Sequence, residues 1–139
     1  MDANQVDALR AAVSRLARRL RNEAPTARPL SATGIAVLGL LRREGPTTLQ
    51  ALACAEHVRP PTMTRIVDRL VEMGMVTKQP NPDDRRSTIV HLDPTGADYL
   101  AATVRQRSTW LASRIDTLTE EEREALSHAI PALQKLATT

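Results

Sequence analysis

Residues 47–92, TTLQALACAEHVRPPTMTRIVDRLVEMGMVTKQPNPDDRRSTIVHL, decide the fold. They read as two short amphipathic helices, a glycine stop, and two β-type runs around a charged loop. That order is a helix-turn-helix followed by a β-hairpin wing. In residues 60–73 a helical period of about 100° per residue puts Met63, Ile66, Val67, Leu70 and Met73 on one face. The opposite face carries Pro61, Thr64, Arg65, Asp68 and Glu72. Small residues there let a backbone approach a duplex closely, and an Arg can bond guanine O6 and N7 in a bidentate manner. The same face is also what any solvated helix presents, so the helix alone does not settle the matter.

The start of this helix is unusual. Arg59 stands where a Ser or Thr cap is expected, and Arg has no acceptor to offer. With Pro60 and Pro61 at the first two helical positions, two of the unpaired N–H groups do not exist. The cap is then less needed, and Arg59 is free to meet a phosphate. Gly74 is expected to end the helix in the left-handed conformation. Strands are expected from Met75 to Lys78 and from Thr88 to Leu92. The intervening PNPDDRRS, 80–87, reads as too long and proline-rich for a two-residue turn, and so as a projecting loop. Arg85 and Arg86 at its tip suit a narrow, electronegative minor groove. Asp83 and Asp84 fit such a loop if one of them holds an Arg by a bidentate pair.

Working outward, residues 4–22 place Val6, Leu9, Val13, Leu16 and Leu20 at heptad spacing, with arginines over the remaining surface. This narrow stripe needs a partner, either elsewhere in the chain or in a second copy. EAPTARPL, 23–30, reads as a linker. Ser31 caps a helix reaching about Arg43, and Gly45-Pro46 stops it. Thr47 and Gln50 form a capping-box pattern for the next helix, which buries Leu49, Leu52 and Ala53. Asp93-Pro94-Thr95 opens a long helix with Leu100, Val104, Leu111, Ile115 and Leu118 inward. Thr119 and Glu122 form a second capping box, before a last helix with Leu126, Ile130, Leu133 and Leu136. Pro131 inside that helix predicts a kink.

The chain has 139 residues, one domain's worth, and its only aromatics are Tyr99 and Trp110, so aliphatic side chains must build the core. Both aromatics read as core residues. The formal net charge is +3, too modest to argue for nucleic acid by itself. Two aromatics cannot make a base-stacking platform, which disfavours single-strand or RNA binding. No Gly-rich phosphate loop or nucleophile elbow is present, so no enzyme is expected. Cys54 is the single cysteine, which fits a reducing cytoplasm and excludes an internal disulfide. Its place beside Ala53 and Ala55 predicts a small buried hydrophobe. Cys54 and His57 are two ligands where zinc wants four, so no metal is expected. No apolar run is long enough to span a membrane, and the Arg-rich N-terminus lacks the apolar stretch of a targeting signal.

The chain resembles the MarR family of bacterial winged-helix regulators. The carriers are Leu49, Leu52-Ala53, Val58, Pro61-Thr62-x-Thr64-Arg65-Ile66-Val67-Asp68-x-Leu70, Gly74-x-Val76, Asp84-x-Arg86, Val90-x-Leu92 and Gly96. About fifty residues match closely, and the flanking helices match in order and length. The resemblance implies a mainly α fold with a small β wing: an N-terminal dimerisation helix and linker over 1–30, the winged helix-turn-helix over 31–92, and C-terminal dimerisation helices over 93–139. It implies an obligate homodimer on a palindromic operator, usually a repressor. No cofactor is implied, only release by a small phenolic or otherwise lipophilic effector between the dimer helices and the winged region. It also implies that Arg86 enters the minor groove and that Asp84 orients it. Asp93 departs from the family's usual Thr and Arg59 from its usual Ser. The first helix lacks the reactive Cys of the family's thiol sensors. The residues expected at double-stranded DNA are Arg59, Pro61, Thr62, Thr64, Arg65 and Arg69 on the helix, with Lys78, Asp84, Arg85, Arg86 and Ser87 in the wing. The other reading is a winged-helix protein-interaction module without specific DNA binding.

Overall fold

A computed structural model describes residues 1–23 and 30–138. Residues 24–29, most of the expected linker, lie outside the described residues. Six α-helices and three strands are formed among the described residues: α1 (Ala3–Arg21), α2 (Ala32–Glu44), β1 (Thr47–Thr48), α3 (Leu49–Ala55), α4 (Pro60–Glu72), β2 (Val76–Asn81), β3 (Asp84–Leu92), α5 (Pro94–Ile115) and α6 (Glu120–Thr138). The sheet is antiparallel in the order β1-β3-β2.

Local chemistry sets most boundaries. Ser31 accepts from the Gly34 N–H, and Gly45 at φ 80° ends α2. At the end of α4, Gly74 takes φ 72°. The Met75 N–H then donates back to Leu70 O and the Gly74 N–H to Val71 O, both at 2.9 Å, the paired bonds of a Schellman stop. Asp93 caps α5 through the Thr95 N–H. Thr119 and Glu122 satisfy each other's backbone N–H groups ahead of α6, as the capping-box pattern predicts. The α6 helix runs on through Pro131 to Thr138.

The structure corrects several expectations. Thr48, not Thr47, caps α3, accepting from the Ala51 N–H at 3.1 Å. Thr47 and Thr48 also pair with Val90 and Ile89 as a third strand, because this segment is extended just where β3 runs beside it. The wing is longer and tighter than expected. Its strands extend to Asn81 and Asp84, leaving a two-residue turn, Pro82-Asp83, with an irregularity at Pro80/Asn81. Pro80 is tolerated because β2 is an edge strand, where one N–H can be missing without breaking the ladder. Cys54 is exposed, not buried, since α3 turns Leu52 and Ala53 inward and Cys54 outward. Trp110 is half-buried outside the core, with the guanidiniums of Arg19 and Arg114 at 5.6 and 5.4 Å from its ring centre. Tyr99 does pack against the core, and its hydroxyl accepts from the Leu30 N–H.

The core lies between α2, α3, α4, the base of the wing and the first turns of α5. Val37, Leu38, Leu52, Met63, Val67, Leu70, Val76 and Val90 are almost wholly buried there. Fully burying one such side chain is worth about 1.5–3 kcal/mol. These residues therefore fix the angle between α4 and the wing. By contrast, α1 and α6 have no buried residues. Val6, Ile130 and Leu136 are 52%, 52% and 69% exposed.

Candidate nucleic-acid interface

α3 ends without a glycine. His57 takes the left-handed position at φ 54°, and the Val58 N–H reaches back to Ala53 O at 3.0 Å. This stop throws the chain into the turn that separates α3 from α4. Extended Arg59 (φ −71°, ψ 147°) then leads into α4 and makes no side-chain cap bond, with Pro60 and Pro61 at the first two positions. The guanidinium is left exposed at the helix entrance.

Further along α4, Pro61, Thr64 and Arg65 are exposed, and Thr62 is half-buried. The Thr64 hydroxyl donates to Pro60 O at 3.0 Å. Arg69 is exposed on the flank of the helix, bordering a small cleft with Ile66 of its own helix and with Ser31 and Gly34 of the α2 side. It does not join the Thr64 cluster. Lys78 is paired with Asp68 of α4. Its ammonium therefore ties wing to helix, and Asp68 is withdrawn from the free outer face.

The wing tip is built from backbone bonds. Asn81 Oδ1 accepts from the Asp83 N–H, and Asp84 Oδ1 accepts from the Arg86 N–H, each at 3.0 Å. The expected carboxylate–guanidinium pair is not formed among the described residues, whose ion pairs are Arg10–Asp7, Lys78–Asp68 and Arg123–Glu120. A local bond to the main chain two residues on is available to any Asp in a turn and costs less side-chain ordering. Asp84 thus orients Arg86 through its backbone. Arg85 and Arg86 project from opposite faces of β3, as neighbours in a strand must.

Thr64 and Pro60 of α4, Asp84, Arg86, Ser87 and Thr88 of β3, and Leu49 and Gln50 of α3 together line a cleft of about 430 Å³. Gln50 is exposed. Sequence reading had used it only as a capping residue; its signal was a polar side chain in the first turn of the first helix of the motif. Arg59, Arg65, Arg85 and Arg86 have no ion-pair partner among the described residues. No group of three or more His, Cys, Asp or Glu is placed to hold a metal among those residues.

Two helices joined by a tight turn, a hairpin wing beside the second, and unpaired arginines on both define a winged helix-turn-helix protein. Comparison with known proteins agrees. The MarR family profile matches residues 30–88. An uncharacterised HTH-type transcriptional regulator of Mycobacterium leprae is 39% identical over 135 residues, covering 97% of this chain and 94% of its own length. A putative transcriptional regulator of Pseudomonas aeruginosa superposes with a TM-score of 0.84 at 33% identity, over 98% of this chain and 95% of that one. A mutant MarR of Escherichia coli shares the fold, with a TM-score of 0.79 at 23% identity over 96% and 97% of the two chains. The chain belongs to the MarR family, whose members are DNA-binding transcription regulators and not enzymes.

Proposed function

We propose that two copies of this chain bind a palindromic operator, each placing α4 in a major groove and its wing in the adjacent minor groove. The observation that carries this is the shared cleft: Thr64 on α4 and Arg86 on β3 line the same opening. Arg65 is the base-reading residue on α4. Arg59, Pro61 and Thr62 lie at the helix entrance, where phosphates pass. Arg85, Arg86 and Ser87 form the wing contact, with Asp84 positioning Arg86. Arg69 and Lys78 have lesser roles, since one sits on the flank and the other is spent on Asp68.

The homodimer is supported by α1 and α6. Their apolar residues, Val6, Leu9, Val13 and Leu16 with Leu133 and Leu136, line an open groove of about 630 Å³. An apolar groove of that kind in one copy is what intertwining helices of a second copy would fill. The domain division follows: 1–30 and 93–139 dimerise, and 31–92 bind DNA. No helix among the described residues is long and apolar enough to cross a membrane. A free, exposed Cys54 fits a reducing cytoplasm.

The regulator is proposed to be a ligand-released repressor. A cleft of about 300 Å³ between α2 and α5 is walled by Ile35, Leu100 and Val104 and lined by three arginines, Arg42, Arg43 and Arg107, against one carboxylate, Glu56. The Arg107 Nε donates to Glu23 O at 3.4 Å, while its Nη2 is buried without a hydrogen-bond partner among the described residues, and a buried N–H without one carries a desolvation cost. An effector with an apolar body and an acidic group meets both features.

The test is binding of the purified chain to genomic fragments, followed by titration of salt. With about 6–10 phosphate contacts, a specific dimer loses roughly 10³–10⁵ in affinity between 50 and 200 mM salt. Selection of no fragment over random duplex would instead support a protein-interaction module.

A further inference from the structure

We propose that Gln50 is a DNA-backbone contact, its side-chain amide acting with the Ser87 hydroxyl to hold the phosphate strand that separates the two occupied grooves. This rests on the reading of α4 and the wing given above. A major groove and its neighbouring minor groove are divided by one sugar–phosphate strand. If α4 fills one and the wing enters the other, that strand runs between them. In this fold the space between them is the cleft of about 430 Å³ that α3 also lines.

A phosphate only accepts hydrogen bonds, so the cleft can be searched for donors. The Thr64 hydroxyl proton is committed to Pro60 O. Pro60 has no N–H. Asp84 accepts only, and its charge repels a phosphate from that rim. Arg86 is directed onward into the minor groove on the reading above. Three neutral donors are left, the Gln50 amide and the half-buried Ser87 and Thr88 hydroxyls, and of the three only Gln50 comes from α3. Gln50 makes no hydrogen bond among the described residues and is not used by α3 itself, whose cap bond runs from Ala51 to Thr48. An exposed Gln is by default a solvated surface residue. What sets this one apart is that it shares one cleft with both DNA-reaching elements.

The chemistry gives an unusual signature. A neutral donor positions the strand without releasing a counterion, so it adds affinity but no salt dependence. The full-length chain would be titrated against its selected operator and against random duplex over a salt series. Gln50→Ala is expected to weaken both about tenfold, typical of one hydrogen bond to a charged group, and to leave the salt slope unchanged. Gln50→Lys is expected to tighten both and to steepen the slope by about 0.9 per protomer. Helix formation is not at risk, because Gln50 is exposed and both replacements are good helix formers. Wild-type binding by both variants, while Arg86→Ala binds weakly, overturns the Gln50 assignment and leaves the interface reading standing. Loss on the operator alone makes Gln50 a base reader and also overturns the backbone assignment. If Arg65→Ala and Arg86→Ala bind as wild type too, the interface reading itself fails.

Discussion

Gly96→Ala sets two opposing effects against each other, and their sizes decide the outcome. Gly96 lies in the first turn of α5, and Ala there gains about 1 kcal/mol of helix propensity. The added Cβ, however, would sit 2.2 Å from Met75 O and 3.0 Å from Leu92 Cδ1. An ordinary contact needs about 3.4 Å or more, so α5 must retreat by roughly an ångström. Met75 O also accepts the Asp93 N–H at 3.0 Å. The retreat lengthens that bond, worth about 0.5–1.5 kcal/mol, and strains packing by about 1–3 kcal/mol. The sum is a net loss of about 0.5–3.5 kcal/mol. It is read as a lowered urea midpoint with unchanged slope, at fixed protein concentration because association contributes to stability. A midpoint equal to or above wild type would refute the reasoning, since propensity would then have won over a backbone clash.

Four further outcomes are expected. Arg59→Ser gives α4 a cap acceptor for the Thr62 N–H and raises stability by about 0.5–1 kcal/mol, while lowering the salt slope of operator binding by about 0.9 per protomer; calorimetry and anisotropy titration read the two arms. Arg65→Ala costs about 1–3 kcal/mol on the operator and relaxes preference at one position of each half-site, checked by binding to duplexes with that position varied. Leu133→Asp on α6 is expected to shift the chain from dimer to monomer in analytical ultracentrifugation; an unchanged dimer would mean that the α1–α6 groove is not the interface. Cys54 is expected to react completely with a thiol reagent in the folded protein, as an exposed residue must; protection until unfolding would restore the buried reading.

What was legible in the sequence was whatever local chemistry dictates. Pro60-Pro61, Gly74, Gly45, Ser31 and the Thr119–Glu122 box set element ends through bonds within a few residues, and all five act as predicted. Most of the errors trace to long-range contact, and two, the cap of α3 and the Asp84 bond, to a choice between neighbouring local bonds. β1 exists because β3 offers Thr47 and Thr48 a partner some forty residues away. The wing strands reach Asn81 and Asp84 because each stabilises the other, which no propensity count of a proline-rich octapeptide reveals. Cys54 looked apolar by company, but exposure depends on which face α3 turns to the core. Asp84 was paired with the right residue and the wrong atom. The side chains of the proposed site could be named from the sequence; the cleft that α3, α4 and β3 form, with Gln50 in its lining, needed three separate elements brought together.

The same contacts indicate how the effector site proposed between α2 and α5 would reach the proposed DNA face. Met75 is the junction: its N–H closes the end of α4 on Leu70 O, and its carbonyl receives the Asp93 N–H at the start of α5. Gly96 lets α5 approach that carbonyl more closely than any other residue type permits. Lys78, three residues on, is ionically paired with Asp68 of α4. Recognition helix, wing and α5 are therefore joined at one point by short bonds, with the almost wholly buried side chains of Leu70 and Val76 beside it. A close-packed junction does not absorb displacement gradually; it moves as a body or breaks. On the proposed function, opening the α2–α5 cleft would then reorient α4 and the wing together relative to α1 and α6. In a dimer that changes the separation of the two recognition helices, and half-sites one helical turn apart tolerate little such change. Within this scheme Arg107 is the residue whose buried Nη2, without a partner among the described residues, an acidic effector would satisfy. Arg107→Leu should keep operator affinity and abolish release by such an effector, whereas Gly96→Ala should weaken operator binding with no effector present.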